Sequence, residues 1–434
     1  MVRPIELSAE QRALLDQMEH SSDHLFITGR AGTGKTTLLH EFVQTTSKRV
    51  AVCAPTGVAA LAVGGQTIHS LMRLPLGIIG ERELGFIPKE SLAVLANLDA
   101  LVVDEVSMVS ADVLDAMDRR LRQAKRAGRV PFGGVQLILF GDPYQLSPVV
   151  SGAAEKAYYR DKYRSPWFFD AAAWAKTELA IHELDWIHRQ ADPEFRAVLN
   201  ALREGRMEPE MGRMLNERGA RVPDDPELIT LTTTNQSVAK INRIALELLP
   251  GRAKIAHAQI DGDFGSSSSY PADEELVLKE GARVMFLRND TLGEDGPRYV
   301  NGTLGTVAAI TDTVSVDIDG VEVPVEPTTW DKIRYEYEAA TKTISQDVVA
   351  EFTQFPLRLA WAVTIHKAQG KTLDAAVIDL GPRAFAPGQT YVAFSRLTSL
   401  DGLYLKRPLT PADIIVDDDV VRFMTSGVWS NRLI

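Results

Sequence analysis

Near the N-terminus, Gly29-Arg30-Ala31-Gly32-Thr33-Gly34-Lys35-Thr36 sets three glycines ahead of a lysine and a hydroxyl. That spacing suits a loop whose backbone N–H groups wrap phosphate oxygens. Lys35 would neutralise the β and γ phosphates of a nucleotide, and Thr36 would ligate Mg²⁺. The bland alternative is a glycine-rich turn before an ordinary helix; a chance match to the whole pattern in this length is of order one or two per cent. A second candidate, Leu101-Val102-Val103-Asp104-Glu105, ends an apolar run in two acids that burial would not tolerate without partners. Asp104 suits the Mg²⁺ water shell, and Glu105 could orient and deprotonate a water for attack on the γ-phosphate. Paired acids that merely end a strand are common, so it is Lys35 in the same region that gives them this reading. Gln145, in Gly141 to Pro148, follows a further strand end and can report the γ-phosphate to a neighbouring domain.

These residues need elements to hold them. Apolar, β-rich runs at Leu25 to Thr28, Val50 to Ala54, Ala100 to Val103 and Val135 to Phe140 alternate with helical patterns, which predicts a parallel sheet. Leu114, Met117 and Leu121 share one helical face, while Arg119, Arg120, Arg122, Lys125, Arg126 and Arg129 are expected on a solvated one. A second α/β pattern starts near Ile181, with Leu228 to Thr233 and Ala375 to Leu380 as buried strands. Short β-like runs, Arg283 to Leu287, Leu304 to Ile310, Val314 to Ile318 and Val321 to Val325, interrupt it with Asn301-Gly302 and Asp319-Gly320 turns. They predict a small β-barrel. Ser165 to Phe169 is an aromatic cluster of the kind that more often belongs to a core than to a base-stacking surface.

The chain has 434 residues, about three folding units at roughly 150 residues each. Hydrophobic residues at 45% and charged residues at 24% exclude wholesale disorder and fibrous repeats. One cysteine, Cys53, excludes a disulfide scaffold. Neither a signal peptide nor an 18-residue apolar span is recognisable, so an intracellular, soluble protein without a membrane partner is expected, in the cytoplasm or nucleoid if bacterial. The net charge of −11 argues only weakly against nucleic acid, because a groove lined by a few cations and amides can hold a strand on an acidic protein.

Further motifs stand in order: Gln11, Ala54-Pro55-Thr56-Gly57-Val58-Ala59-Ala60, Gly65-Gln66-Thr67-Ile68-His69-Ser70, Asp104 to Met108, Gly141-Asp142, Arg189-Gln190, Thr364 to Gly370 and Val392 to Arg396. From about Leu7 to Leu405 the chain resembles the petite-integration-frequency (PIF) family of DNA helicases, in superfamily 1B. Met117 to Val149, with Pro131-Phe132-Gly133-Gly134-Val135-Gln136-Leu137, is similar to that family's own signature. Ser147 stands where proline is usual and Phe394 where leucine is usual.

The resemblance implies an α/β fold: two RecA-like parallel-sheet domains, with a small wedge insertion in the first and a small SH3-like β-barrel insertion in the second. The expected boundaries are 1–183 for the first domain with its wedge at about 70–97, 184–280 and 356–434 for the second, and 281–355 for the barrel. It implies ATP and Mg²⁺ as cofactors, with Gln11, Gly29, Gly32, Thr33, Gly34, Lys35, Thr36, Thr37 and Gly370 at the nucleotide and Thr36 and Asp104 at the metal. Lys35, Glu105, Gln145, Arg189 and Arg396 would be catalytic, the two arginines as fingers to the γ-phosphate between the domains. Pro55, Thr56, Thr67, His69, Thr364, His366 and Lys367 would hold the strand. Expected partners are single-stranded DNA and tailed or forked duplex DNA, met by a monomer moving from 5′ to 3′, and expected roles fall among DNA repair, recombination and telomere maintenance. Ser8-Ala9-Glu10-Gln11 is also a capping box, which the Gln11 amide would have to give up to read adenine. The rival functions are a P-loop small-molecule kinase, disfavoured by Arg189 and Arg396 in a second domain, and a non-enzymatic strand-binding module, disfavoured by the complete set Lys35, Thr36, Asp104 and Glu105.

Overall fold

The structure, a computed structural model, describes all residues except 1–6, 76, 81–82, 151, 185–191, 224–227, 266, 268–269, 291–297, 312, 339–340, 342 and 427–434. The chain divides into two units. One, the P-loop unit, comprises Ile5–His188, Asp331–Val349 and Asp417–Ile434; the other comprises Met1–Pro4, Arg189–Trp330 and Ala350–Val416. Among the described residues no helix is long and apolar enough to cross a membrane.

In the P-loop unit the order is α1 (Ala9–His20), β1 (His24–Gly29), α2 (Lys35–Thr45), β2 (Val50–Ala54), α3 (Gly57–Ala62), β3 (Gln66–Thr67), α4 (Ile68–Met72) and α5 (Lys89–Asn97). Then come β4 (Ala100–Val103), α6 (Ala111–Lys125), β5 (Gln136–Phe140), α7 (Ala153–Lys162) and β6 (Leu179–Leu184). All six strands run parallel in the order β3-β2-β4-β5-β1-β6. Strands covered on both faces must be apolar throughout, and β4 and β5 are buried along their whole length. On one face Leu25, Ile27, Val52, Val102 and Phe140 meet Leu38, Leu39 and Phe42 of α2 and Leu14 and Met18 of α1. Elsewhere Phe26 meets Phe168 edge-on at 5.4 Å, and Phe169 stacks on Phe423 at 4.3 Å. The Trp167 to Phe169 cluster is therefore core. The strand read from Ile181 as the start of the second pattern instead joins the first sheet, pairing with β1 from His24↔Leu179 to Gly29↔Leu184.

One expectation about α6 needs correction. Its basic residues do not all form a solvated face: Arg120 is 1% exposed, Arg122 pairs with Asp118 at 2.9 Å, and Lys125 donates to the Leu98 carbonyl at 2.7 Å. Arg120 follows Met117 by three residues and adjoins Leu121, so the helical period carries it onto the buried stripe.

The other unit contains α8 (Pro193–Glu204), α9 (Pro209–Gly219), β7 (Thr230–Thr232), α10 (Asn235–Leu248), β8 (Lys254–His257), β9 (Gln259–Gly262), β10 (Glu275–Leu278), β11 (Arg283–Phe286), β12 (Leu304–Ile310), β13 (Val314–Ile318) and β14 (Val321–Val325). Two long strands, β15 (Thr328–Glu338) and β16 (Thr343–Gln354), are shared between units at Asp331–Val349. After them come β17 (Leu357–Leu359), β18 (Ala362–Thr364), β19 (Ala376–Asp379), α11 (Gln389–Phe394) and β20 (Leu403–Leu405); α12 (Asp418–Thr425) returns to the P-loop unit. A parallel sheet β18-β7-β19-β20 accompanies an antiparallel one, β14-β13-β12-β11-β17. The latter closes over Val284, Phe286, Val307, Val316 and Val325. The class is α/β with two parallel sheets, and the strands fall on the apolar runs of the sequence.

Candidate functional site

In the P-loop unit β4, β5 and β1 are neighbours, so the three loops leaving their C-terminal ends emerge side by side. Ligands of parallel sheets bind at that edge. The loops carry Asp104-Glu105, Gly141 to Gln145, and Gly29 to Gly34, and the middle strand sets Gln145 between the acids and the P-loop.

The P-loop's shape depends on its glycines. A Cβ on Gly29 would lie 2.9 Å from both the Leu184 carbonyl and Thr33 Oγ1, and Gly34, at φ 81°, opens α2 in the left-handed region. Buried Thr33 donates from Oγ1 to the Arg30 carbonyl at 2.9 Å, and Lys35 Nζ donates to the Gly29 and Arg30 carbonyls at 2.6 and 3.0 Å. Thr36 and Thr37 follow in the first turn of α2. Gln11 serves two neighbours at once: its Oε1 accepts from Ser8 N–H at 2.9 Å while Nε2 points to the Thr33 carbonyl at 3.5 Å. The capping box and a P-loop contact thus use opposite ends of one amide.

Asp104 is 8% exposed and its Oδ1 accepts from Glu105 N–H at 2.9 Å. Burial pushes its carboxyl up to about 6, against the opposing pull of the Glu105 N–H and the Lys35 ammonium. Glu105 holds φ 50° and ψ 44°, a left-handed backbone that L side chains adopt at a cost of order 1–3 kcal/mol. Buried Asp142 organises the third loop, accepting from Tyr144 N–H at 3.2 Å and reaching Gln145 Nε2 at 3.5 Å. Asp104 and Thr36 offer the hard oxygen donors that Mg²⁺ prefers.

Farther along the same edge lie β2 and β3. Pro55 and Thr56 follow β2, and Thr67 ends β3 just before His69 on α4. Thr56 Oγ1 accepts from Ala59 N–H and Thr67 Oγ1 from Ser70 N–H, each at 3.2 Å. These caps occupy an oxygen lone pair and leave the hydroxyl hydrogen to donate. Burial lowers the His69 pKa, so its imidazole is the neutral form near pH 7.

In the other unit Thr364 ends β18 and accepts from Lys367 N–H at 3.2 Å, with His366 and Lys367 exposed beside it. Gly370 takes φ 78° in the turn that follows. Arg396, 2% exposed just past α11, turns inward: Nε donates to the Val392 carbonyl at 3.0 Å and Nη2 to Ser395 Oγ at 2.7 Å. Arg189 lies outside the described residues. The buried Asp142 and Arg120, which sequence reasoning gave no role of their own, are organising residues. For Arg120 the signal was its place beside the apolar stripe.

Residues 6–211 match the family model of PIF1-like helicases. The chain is 33% identical to the ATP-dependent DNA helicase Pif1 of Bdellovibrio bacteriovorus, over 97% of this chain and 92% of that protein. It is 34% identical to the ATP-dependent DNA helicase PIF1 of Mus musculus over 96% of this chain but 62% of that longer protein. Among solved structures, Bacteroides sp Pif1 in complex with ADP-AlF4 is similar at TM-score 0.89 and 35% identity, covering 99% of this chain and all of that one. Bacteroides Pif1 in complex with ADP-AlF3 and ssDNA is similar at TM-score 0.70 and 36% identity, with 97% of each chain covered.

Proposed function

Because the chain belongs to the PIF1-like family of ATP-dependent DNA helicases, we propose that it hydrolyses ATP at its P-loop and uses the cycle to move 5′ to 3′ along single-stranded DNA, unwinding tailed or forked duplexes. The observation that carries this reading is the adjacency of β4, β5 and β1, which gathers Lys35, Thr36, Asp104, Glu105 and Gln145 on one sheet edge.

Lys35 exchanges the Gly29 and Arg30 carbonyls for the charged β and γ phosphates, which accept more strongly. The Thr36 hydroxyl and the Asp104 carboxylate would hold Mg²⁺, whose chemistry is to neutralise charge developing on the phosphates. Glu105 takes a proton from the attacking water, and its fixed backbone aims the carboxylate. Gln145, held by Asp142, orients that water. Gln11 Nε2, already directed at the loop, serves the adenine edge.

On DNA, the Thr56 and Thr67 hydroxyls, His69, Thr364, His366 and Lys367 contact phosphate and sugar, which explains gripping without base specificity. Arg396, and with it Arg189, supplies charge to the γ-phosphate when the strand is held. The protein is proposed to act on its strand as a monomer.

The test is ATP turnover with and without single-stranded DNA, beside strand displacement from duplexes bearing a 5′ or a 3′ tail. DNA-stimulated turnover and displacement only from the 5′ tail are expected. Efficient displacement from the 3′ tail would overturn the polarity, and turnover indifferent to DNA would overturn the coupling.

A further inference from the structure

Arg396 is held inward by a segment that is itself pinned from outside. Its Nη1 donates to the Ala368 and Lys371 carbonyls at 3.5 and 3.4 Å, longer and so weaker than its bonds to Val392 and Ser395. Its main-chain carbonyl accepts from Leu373 N–H at 2.8 Å, so residues 371–373 frame it on two sides. From this frame the half-buried Lys371 side chain leaves toward the antiparallel sheet. Its Nζ donates to Asn301 Oδ1, and its stem lies along Gly302, where an added Cβ would come 3.4 Å from both Lys371 Cβ and Cγ. Gly302 takes φ 103°, which glycine adopts readily. Through one lysine, the turn leading into β12 thus fixes a carbonyl that the Arg396 guanidinium holds. To reach a γ-phosphate that guanidinium must give up its inward bonds, and whatever pins the Lys371 carbonyl stabilises the inward pose.

Lys371 does not stand there alone. Burial pushes its ammonium down to about 8, and the Arg358 guanidinium on β17 adds to the fall. Lys367 is lowered by lost hydration and then by the same guanidinium, against the pull of Asp273. Arg358 Nε is buried without a hydrogen bond, with Asp273 Oδ1 3.7 Å away as its ion-pair partner. Three cations that repel one another where water is partly excluded favour an anion among them. Thr364 and His366, which are proposed to meet the strand, belong to the same run of chain after β18, so a backbone phosphate is the anion this setting is offered. It accepts more strongly than the neutral Asn301 amide.

We propose that Arg358, Lys367 and Lys371 hold one phosphate of the strand, and that Lys371, drawn from Asn301 to that phosphate, is the positioning residue that loosens the inward pose of Arg396. The assignment rests on the DNA-stimulated hydrolysis proposed above and names how the strand is felt at Arg396. It is tested in the full chain with Lys371→Met, Asn301→Ala, Arg396→Ala and Lys371→Met combined with Arg396→Ala. Lys371→Met keeps the stem on Gly302 and releases Asn301. Its kcat without DNA should rise about tenfold, the worth of one such hydrogen bond, with KM for ATP unchanged. Its affinity for a single-stranded thymidine oligonucleotide, plotted as log affinity against log salt, should lose about 0.7 of slope, one phosphate contact. Asn301→Ala frees the same lysine with its charge in place, so kcat without DNA should rise likewise while the salt slope keeps its wild-type value. Against Arg396→Ala alone, the combined variant should show no rise.

Turnover without DNA that is unchanged or lowered in either Lys371→Met or Asn301→Ala overturns the positioning role, as does a rise that persists in the combined variant. An unchanged salt slope in Lys371→Met overturns the phosphate contact. Should Lys371→Met fail to fold, Asn301→Ala decides the positioning, and Arg358→Gln decides the phosphate site by the same loss of slope, an unchanged slope overturning it. A wild-type protein whose turnover is indifferent to DNA, with slope still lost in Lys371→Met, refutes the coupled activity and leaves the phosphate site intact.

Discussion

Lys35 and Glu105 stand on neighbouring loops but should fail differently. Lys35→Ala removes the one cation that the P-loop directs inward through its own carbonyls, and ATP turnover should fall below detection. Glu105→Gln should keep ATP and Mg²⁺ affinity in a binding titration while losing hydrolysis, since only the base is gone; loss of binding there would make Glu105 a structural residue. Asp104 adds a prediction in pH. Its carboxyl titrates at about 6 when folded against an ordinary 3.8. Between those values the native protein keeps a proton that the unfolded chain has released, so stability falls as pH rises through this window. Asp104→Asn retains the Oδ1 acceptor for Glu105 N–H and removes the charge. It should gain about 2–3 kcal/mol in urea melts at pH 7.5 and nothing near pH 3, while losing Mg²⁺-dependent turnover. Equal effects at both pH values would mean that burial of the charge is not the cause.

The same residue type behaves in the opposite way where an element depends on it. Asp413 is fully buried, which by itself would raise its carboxyl, but donors from Arg407 and Thr410 hold it far below the usual range. Its Oδ1 accepts from Arg407 Nη2 at 2.6 Å and from Ala384 N–H at 3.0 Å, its Oδ2 from Thr410 Oγ1 at 2.7 Å, and its main-chain carbonyl from Thr390 Oγ1 on α11. That helix is buried at all six positions and runs into Arg396. Asp413→Ala takes the carboxylate away from the half-buried Arg407 guanidinium and the acceptor away from Ala384 N–H, and should cost about 1.5–3 kcal/mol by denaturant melting. Because the folded pKa is depressed, this contribution is present above the unfolded value near 3.8 and is lost as pH falls further. The wild-type and variant curves should therefore converge in strong acid.

For the whole molecule, the division of labour is the prediction. The P-loop, acids and Gln145 belong to one unit and Arg396 to the other. Arg396→Ala should lower turnover roughly 10³- to 10⁵-fold with little change in nucleotide affinity, and DNA should no longer stimulate it. Full stimulation in that variant would return Arg396 to the structural role its inward bonds describe. A fragment ending at Glu183 should bind nucleotide but barely hydrolyse it. It would also lack Leu184, which is 1% exposed on β6, and Phe423, which stacks on Phe169. Its melting temperature should therefore fall below that of the P-loop unit in the full chain.

What the sequence determined by itself was local. The spacing of Gly29, Gly34 and Lys35 and the acids closing an apolar run follow from backbone geometry and solvation within a few residues, so the P-loop, Asp104-Glu105 and most strands were legible. Turn chemistry at Asn301-Gly302 and Asp319-Gly320 did the same for the antiparallel runs. The tertiary structure decided what depends on distant partners. Strand order set β5 between β4 and β1, and β6 joined the first sheet because β1 offered it an unpaired edge. Arg120 reads as one base among six until carbonyls from residues 72–73 and 84–85 converge on it. Gln11 could be assigned both of its contacts only once the Thr33 carbonyl stood opposite its nitrogen. A side chain's type and period say which face it occupies; only the fold says which polar groups wait there, because hydrogen bonds and desolvation are settled by neighbours dozens of residues away.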